Sequence, residues 1–384
     1  MSNIEDYLEW RGDIPFFVDP FNEVDNLILS ELIYTNFDGI VPGQDSKEKI
    51  SLRAASKEFF IRKKNEEVQT ALSSLKMAPT LMEKMAATKR FSDMKLFNYI
   101  SEIDEDTQMQ FCAMTYELPD KSLYVVFRGT DNTIVGWQED FNMSFLDELP
   151  GQKRARDYIN RNFSRTGRSI RVGGHSKGGN LAVYGSAFCK EGIQEKIEYV
   201  YSNDGPGFRE SVINQPGYLN ILSRVRSYAP EESIVSMILH KKMKPVVVKS
   251  SLKGPEQHNG LSWLVSGNHF VYADNLSKQS YLFGDTLRNW LFGLSDPERE
   301  EFANTLFEVL YSGGNTTLDD LVEYKTKTLK NAFKTVSKME PEKRKMFMEV
   351  LKKLYDTGNE AYKSSIKKKI STFMKKWENE SSTE

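Results

Sequence analysis

The residues Gly174-His175-Ser176-Lys177-Gly178 set a serine hydroxyl between two glycines. With a strand before it and a helix after it, this Gly-x-Ser-x-Gly spacing forms a tight turn. The turn lifts the serine Oγ above the carboxyl edge of a sheet, and a Cβ at either glycine would collide with a neighbouring strand or helix. A serine hydroxyl is a poor nucleophile alone and needs a base beside it. The chain has four histidines. His175 lies inside the turn, and its side chain is expected to point away from Ser176. His240, followed by Lys241-Lys242, reads as an exposed helix end. His269 precedes Phe270-Val271-Tyr272 and reads as the start of a strand. His258 sits in Gly254-Pro255-Glu256-Gln257-His258-Asn259-Gly260, a loop of turn formers after Val246-Val247-Val248, where a base would hang over the sheet edge.

An acid must orient that base, and two places offer one. Asp204, in Asn203-Asp204-Gly205-Pro206-Gly207-Phe208, follows the strand 197–202. Glu231 and Glu232 follow the strand 224–228, two strands after the nucleophile, which is the usual station for the acid. A developing oxyanion needs two fixed N–H donors. Lys177, directly after the serine, supplies one from its backbone. Thr130, in Arg128-Gly129-Thr130-Asp131, is the natural source of the other, with Gly129 letting the backbone approach a substrate. All these groups come from the protein, so the reading calls for no metal and no organic cofactor.

The elements that hold these residues can be traced in the pattern. Residues 110–117 and 122–127 are short apolar runs around Pro119-Asp120-Lys121, a hairpin. Strands at 169–172, 197–202, 224–228 and 245–250 then alternate with helical stretches at 154–163 and 178–189. Alternation of this kind predicts an α/β fold with a mainly parallel central sheet. Before it, Asp19-Pro20 reads as the cap and first position of a helix, residues 45–90 are helical in pattern, and Pro79 suits the first turn of a new helix. The sheet is expected to end near Phe283. Beyond it, helix starts at Ser295-Asp296-Pro297, Thr316-Thr317 and Glu340-Pro341 predict an all-helical appendage. The division expected is 1–284, a hydrolase domain with N-terminal helices, and 285–384, a helical region.

Taken together, Phe127-Arg128-Gly129-Thr130, Trp137, Asp140 and Gly174-His175-Ser176 with Gly178-Gly179 resemble class 3 (fungal-type) lipases of the α/β-hydrolase fold. The chain is still more similar to a family of bacterial lipase-like α/β hydrolases. Their pattern shows as Trp10-Arg11-Gly12-Asp13, Phe127 to Asp131, Gly136-Trp137 with Glu139-Asp140-Phe141-Asn142-Met143, His175 to Asn180, Asp204 to Phe208, and Gln257-His258. The resemblance spans roughly residues 5–310 and implies a serine esterase or lipase acting through an acyl-enzyme. Two departures from class 3 lipases stand out. Lys177 replaces the usual leucine, and Ser233 stands before Ile234-Val235 where those lipases have aspartate. The second departure favours Asp204 as the acid.

The composition is that of a globular chain: 384 residues, 39% hydrophobic, 28% charged, net charge −2. That balance does not suggest a nucleic-acid binder. Two cysteines, Cys112 and Cys189, exclude a disulfide framework. With an acidic, polar N-terminus that lacks a signal-peptide pattern, they make the cytoplasm the expected location. Arg11-Gly12-Asp13 reads as a structural turn. The apolar run from Ile134 to Leu146 reads as core packing, with a lid or acyl-chain wall as the alternative. Residues 321–380 carry 16 Lys and Arg against 8 Asp and Glu. Tyr362, Ile366, Ile370, Phe373 and Trp377 align at helical spacing among lysines, the pattern of a basic amphipathic helix. Two uses of that helix stay open: docking on its own domain, and peripheral association with an anionic membrane that supplies a lipid acyl ester. The competing function is a non-catalytic hydrolase-fold scaffold acting through this tail.

Overall fold

The computed structural model describes residues 2–62, 73–312, 314–317, 319–320 and 325–357. The amphipathic segment 362–377 lies outside them. Among the described residues eight strands join one sheet in chain order: β1 (Ile50–Ser51), β2 (Lys95–Asp104), β3 (Met109–Glu117), β4 (Leu123–Phe127), β5 (Ile170–His175), β6 (Ile197–Asn203), β7 (Val225–Pro230) and β8 (Val246–Val248). From β4 to β8 every pairing is parallel, and from β1 to β4 every pairing is antiparallel. The hairpin read at 110–127 is β3–β4. The ten-residue β2 beside it was not foreseen. The last sheet strand ends at Val248, and 278–292 is a helix that crosses the expected boundary at 284. The sheet therefore ends well before Phe283. The run Tyr281-Leu282-Phe283 is apolar enough for a strand, but it follows the helix cap Ser277, whose Oγ accepts the Ser280 N–H.

Side-chain alternation divides the sheet into two faces. Tyr116, Tyr124, Tyr201 and Tyr228 face a core built with α1 (Ile4–Arg11), α2 (Glu23–Leu32), α3 (Leu52–Arg62) and α4 (Ser73–Ala87). Phe111, Val125, Phe127, Val172 and Val200 face the other core, built with α6 (Pro150–Phe163) and α7 (Lys177–Phe188). Strands covered on both faces read as near-continuous apolar runs, as β4 does.

Two N-terminal readings are corrected. The cap of α2 is Asn22, not Asp19. Its Oδ1 accepts the N–H groups of Val24 and Asp25 at 3.0 and 3.1 Å, and the Asp25 carboxylate accepts the Asn22 N–H in return. Asp19 instead pairs with Arg11 at 2.7 Å. Pro79 lies inside α4 rather than at its start. The buried stripe Ala78, Leu81, Met82 and Met85 runs through it, and this burial offsets the lost backbone bond. Arg11-Gly12-Asp13 closes α1: a Cβ on Gly12 would stand 2.2 Å from the Leu8 carbonyl oxygen.

Helices at 278–292, 296–311, 325–338 and 341–357 follow the sheet. Trp290, Phe302, Val336, Phe347 and Val350 form their common core. Phe141, on α5 (Ile134–Asn142), packs on Trp290 and Phe302 and joins that core to the sheet domain. Most of the apolar run 134–146 is thus packing, since Ile134, Val135, Met143 and Phe145 are buried. No helix among the described residues is long and apolar enough to cross a membrane.

Candidate active site

The carboxyl ends of the parallel strands converge on one edge, where ligands bind in open α/β sheets. Ser176 follows β5, Asp204 follows β6, and the loop carrying His258 follows β8. Ser176 takes φ 57°, ψ −132°, a conformation L residues avoid. It is held there by its N–H to the Asn203 carbonyl (2.9 Å) and by the Gly179 N–H on its own carbonyl (2.9 Å). The flanking glycine is obligatory in this turn: a Cβ on Gly178 would lie 2.1 Å from the Phe127 oxygen.

Asp204, at φ 47°, is fully buried. Its Oδ2 lies 2.7 Å from His258 Nδ1, and its Oδ1 accepts a short hydrogen bond from the Ser233 hydroxyl. Burial alone would raise this carboxyl's pKa. The bonds from His258 and Ser233 and the His258 charge hold it below the usual value. Ser233, which stands just before Ile234-Val235, thus spends its hydroxyl on the carboxylate that lies one strand earlier. Glu231 and Glu232 do not reach the imidazole. The Glu232 carboxylate accepts the Gly254 N–H, and its backbone N–H donates to Gln257 Oε1 at 2.8 Å. It braces the loop that presents His258. The Glu231 carbonyl accepts the Ser277 N–H.

Ser176, His258, Thr130 and Lys177 line one cavity of about 630 Å3, with Trp137, Met143, Val235, Ile238, Leu252 and Pro255 as its apolar wall. Thr130 Oγ1 donates to Asp140 Oδ2 at 2.5 Å, and burial raises the Asp140 pKa to about 6. Gly129 leaves room for this loop, since a Cβ there would meet Tyr34 Oη at 2.2 Å. The Lys177 side chain points down into the protein. Its Nζ donates to Glu139 Oε2 at 2.8 Å and to the Gln110 carbonyl at 3.0 Å, both partners buried. This buried ion pair ties the start of α7 to α5 and β3, and it explains why lysine replaces leucine. Sequence reasoning noted Lys177 and Glu139 in one motif set and did not connect them.

Of the other histidines, one differs from its sequence reading. His240 is not at a helix end. Its backbone pairs with Phe208 in both directions at 2.9 Å, and its ring stacks on Phe292. The His175 ring turns to His258: the two ring centroids lie 4.5 Å apart, and His175 Nε2 lies 2.7 Å from the His258 carbonyl oxygen. As the last residue of β5 it meets the end of α2, where Glu31 and Tyr34 face it. His269 opens a short strand, as expected. Among the described residues no group of three or more His, Cys, Asp or Glu side chains is placed to hold a metal ion.

The Mbeg1-like family model matches residues 85–308, more than half of the chain. The chain belongs to the Mbeg1-like family. The Mbeg1-like span takes in Ser176, Asp204 and His258 and leaves out Glu31 and Tyr34. It agrees with the lipase-like α/β-hydrolase kinship read from the motifs, and with the sheet and its flanking helices. A search of curated protein sequences finds no match. Among solved structures the Mbeg1-like chain is similar to three fungal lipases. A Rhizomucor miehei lipase in complex with its propeptide is 19% identical over 41% of this chain and 57% of that one, with a TM-score of 0.30. A lipase from Rhizopus microsporus var. chinensis is 13% identical over 55% and 80%, with a TM-score of 0.33. The Lip2 lipase from Yarrowia lipolytica is 14% identical over 46% and 72%, with a TM-score of 0.30. The chain thus spans little more than half the length of the first of these.

Proposed function

We propose that this protein is a serine hydrolase that cleaves a carboxylic ester through an acyl-enzyme, with Ser176 as nucleophile, His258 as base and Asp204 as the acid that orients it. The observation that carries this reading is the 2.7 Å contact between Asp204 Oδ2 and His258 Nδ1 at the edge of the cavity that Ser176 also lines. An ionised carboxylate only accepts, so Nδ1 carries the proton and Nε2 is left bare to take one. The His258 side chain is 31% exposed, open to substrate and water.

In this mechanism Ser176 Oγ bonds to the ester carbonyl carbon as its proton passes to His258 Nε2. The backbone N–H groups of Thr130 and Lys177 receive the oxyanion. The imidazolium returns the proton to the departing alcohol as the C–O bond breaks, leaving an ester on Ser176. Water then attacks that ester with His258 as base, releasing the acid and restoring the serine. The apolar wall from Trp137 to Pro255 suits an acyl chain, so the substrate class is an aliphatic or lipid ester. On this reading the basic segment 362–377 holds the enzyme near an anionic membrane that supplies such an ester, and the site is cytoplasmic. Hydrolysis of p-nitrophenyl esters of graded chain length tests the proposal. Turnover should be measurable, should prefer an apolar acyl group, and should vanish in Ser176→Ala. Equal turnover in Ser176→Ala would refute it.

A further inference from the structure

The mechanism uses the backbone of Lys177 and leaves its side chain without a role. That side chain is 1% exposed, and its partner Glu139 is fully buried. Besides the Lys177 ammonium at 2.8 Å, Glu139 Oε2 accepts the Gln110 N–H at 3.1 Å, and Oε1 accepts the Gly151 N–H at 2.7 Å. The carboxylate has little room to shift, since even a Cβ on Gly151 would stand 2.6 Å from Oε1. Lys177 Nζ is held again by the Gln110 carbonyl at 3.0 Å. A buried ion pair is a weak source of stability, and an apolar side chain of similar volume commonly packs as well. What the pair adds is direction, because charge-assisted hydrogen bonds fix the lysine at set lengths.

The next residue along α5 holds the other donor. Asp140 Oδ2 accepts the Thr130 hydroxyl. Consecutive carboxylates on one helix thus grip the two residues whose N–H groups the mechanism assigns to the oxyanion. α5 is itself anchored at both ends. The Ile134 N–H donates to the Thr316 carbonyl at 2.9 Å, and Phe141 packs on Trp290 and Phe302. Ser176, just before Lys177, is fixed by its own N–H and carbonyl. Lys177 is therefore pinned through the backbone on one side and through Nζ on the other. We propose that the Glu139–Lys177 pair sets the position of the Lys177 N–H relative to that of Thr130, which makes Glu139 a positioning residue for oxyanion stabilisation. This role rests on the reading of Ser176 as the nucleophile. It moves no proton and acts through hydrogen-bond geometry alone. A displaced donor costs most where charge develops on the oxygen, so the loss should fall on the transition state rather than on substrate binding.

The test is hydrolysis by the full chain carrying Glu139→Gln, Lys177→Met or both, with rates normalised to the fraction of protein that a fluorophosphonate titrates. The substrates are p-nitrophenyl butyrate and its thionoester, whose larger sulfur is a poorer acceptor for paired N–H donors. Each single variant should lose about tenfold in kcat with KM unchanged, less than the cost of deleting a donor. The preference for the ester over the thionoester should shrink by a similar factor. The double variant should lose no more than either single one, because both act through one contact. A merely structural role would lower the titratable fraction, or slow both substrates alike. An unchanged kcat, or a preserved preference for the ester, would overturn the proposal. Glu139→Gln keeps the shape of the side chain and carries the test alone if Lys177→Met does not fold. An unaltered protein without turnover would sink the esterase reading and this role with it, whereas variants that match an active parent count against the positioning role alone.

Discussion

Two carboxyl–imidazole pairs lie side by side at the sheet edge, their rings 4.5 Å apart, and they ionise in opposite senses. Asp204 and Glu31 are both fully buried. Asp204 receives donors from His258 and Ser233 and is held below the usual carboxylate value, whereas Glu31 receives none in normal geometry and is pushed up to about 7. Burial is the largest influence on each, so hydrogen bonding decides the outcome. In the pair open to the cavity the Asp204 carboxylate is kept charged beside His258. In the pair sealed beneath it burial favours the neutral forms, and the His175 imidazole holds the His258 carbonyl.

If this contrast is right, the pairs should fail differently. The largest effect is expected at the exposed one. His258→Ala should lower ester turnover by roughly ten-thousandfold, since Ser176 is then without a base. His269→Ala should leave turnover within a few-fold, and a larger loss there would move the base. Next comes the acid. Asp204→Asn should cost about a thousandfold in kcat, while Glu231→Gln with Glu232→Gln should cost about tenfold or less, through loosening of the His258 loop. The reverse order would return the acid to the strand after β6.

The smallest effect is in stability and belongs to the sealed pair. The Glu31 carboxyl has a folded value of about 7 against an ordinary 4.5. Between those values the unfolded chain has released this proton and the folded chain retains it, so stability falls as pH rises. The fall should approach about 3 kcal/mol at most, and it should be absent in Glu31→Gln. Urea unfolding of both proteins at pH 4.5 and pH 7.5 reads the difference. Asp204 has the opposite sign: its depressed value makes its contribution present above pH ~4 and lost as pH falls below that. Parallel pH curves for the unaltered protein and Glu31→Gln would remove the contrast.

Much of the exposed pair's setting was legible because it is local. The strand–turn–helix around Ser176, the β3–β4 hairpin and the alternation through β8 are written in short runs of sequence. So was the loop around His258, whereas the choice between Asp204 and the Glu pair stayed open on local grounds. That choice needed the spatial order of strand ends, and the contact falls to Asp204. The sealed pair was invisible for the same reason: Tyr34 and His175 are 141 residues apart, and no pattern around Glu31 distinguishes it from a polar position on α2. The partner of the Lys177 side chain, 38 residues away on α5, was hidden likewise. Where local signals misled, a competing local signal existed. Asn22 won the α2 cap over Asp19 through its reciprocal bonds with Asp25, and Pro79 was tolerated in α4 because the buried stripe around it is continuous.

We propose Ser176 as a nucleophile activated by the His258–Asp204 pair. Reaction with a fluorophosphonate, read by intact-protein mass, tests it directly. The unaltered protein should gain one phosphonyl adduct, mapping to Ser176. The adduct should be absent in Ser176→Ala and strongly slowed in His258→Ala. An adduct that persists in Ser176→Ala, or no adduct on the unaltered protein, would contradict the account.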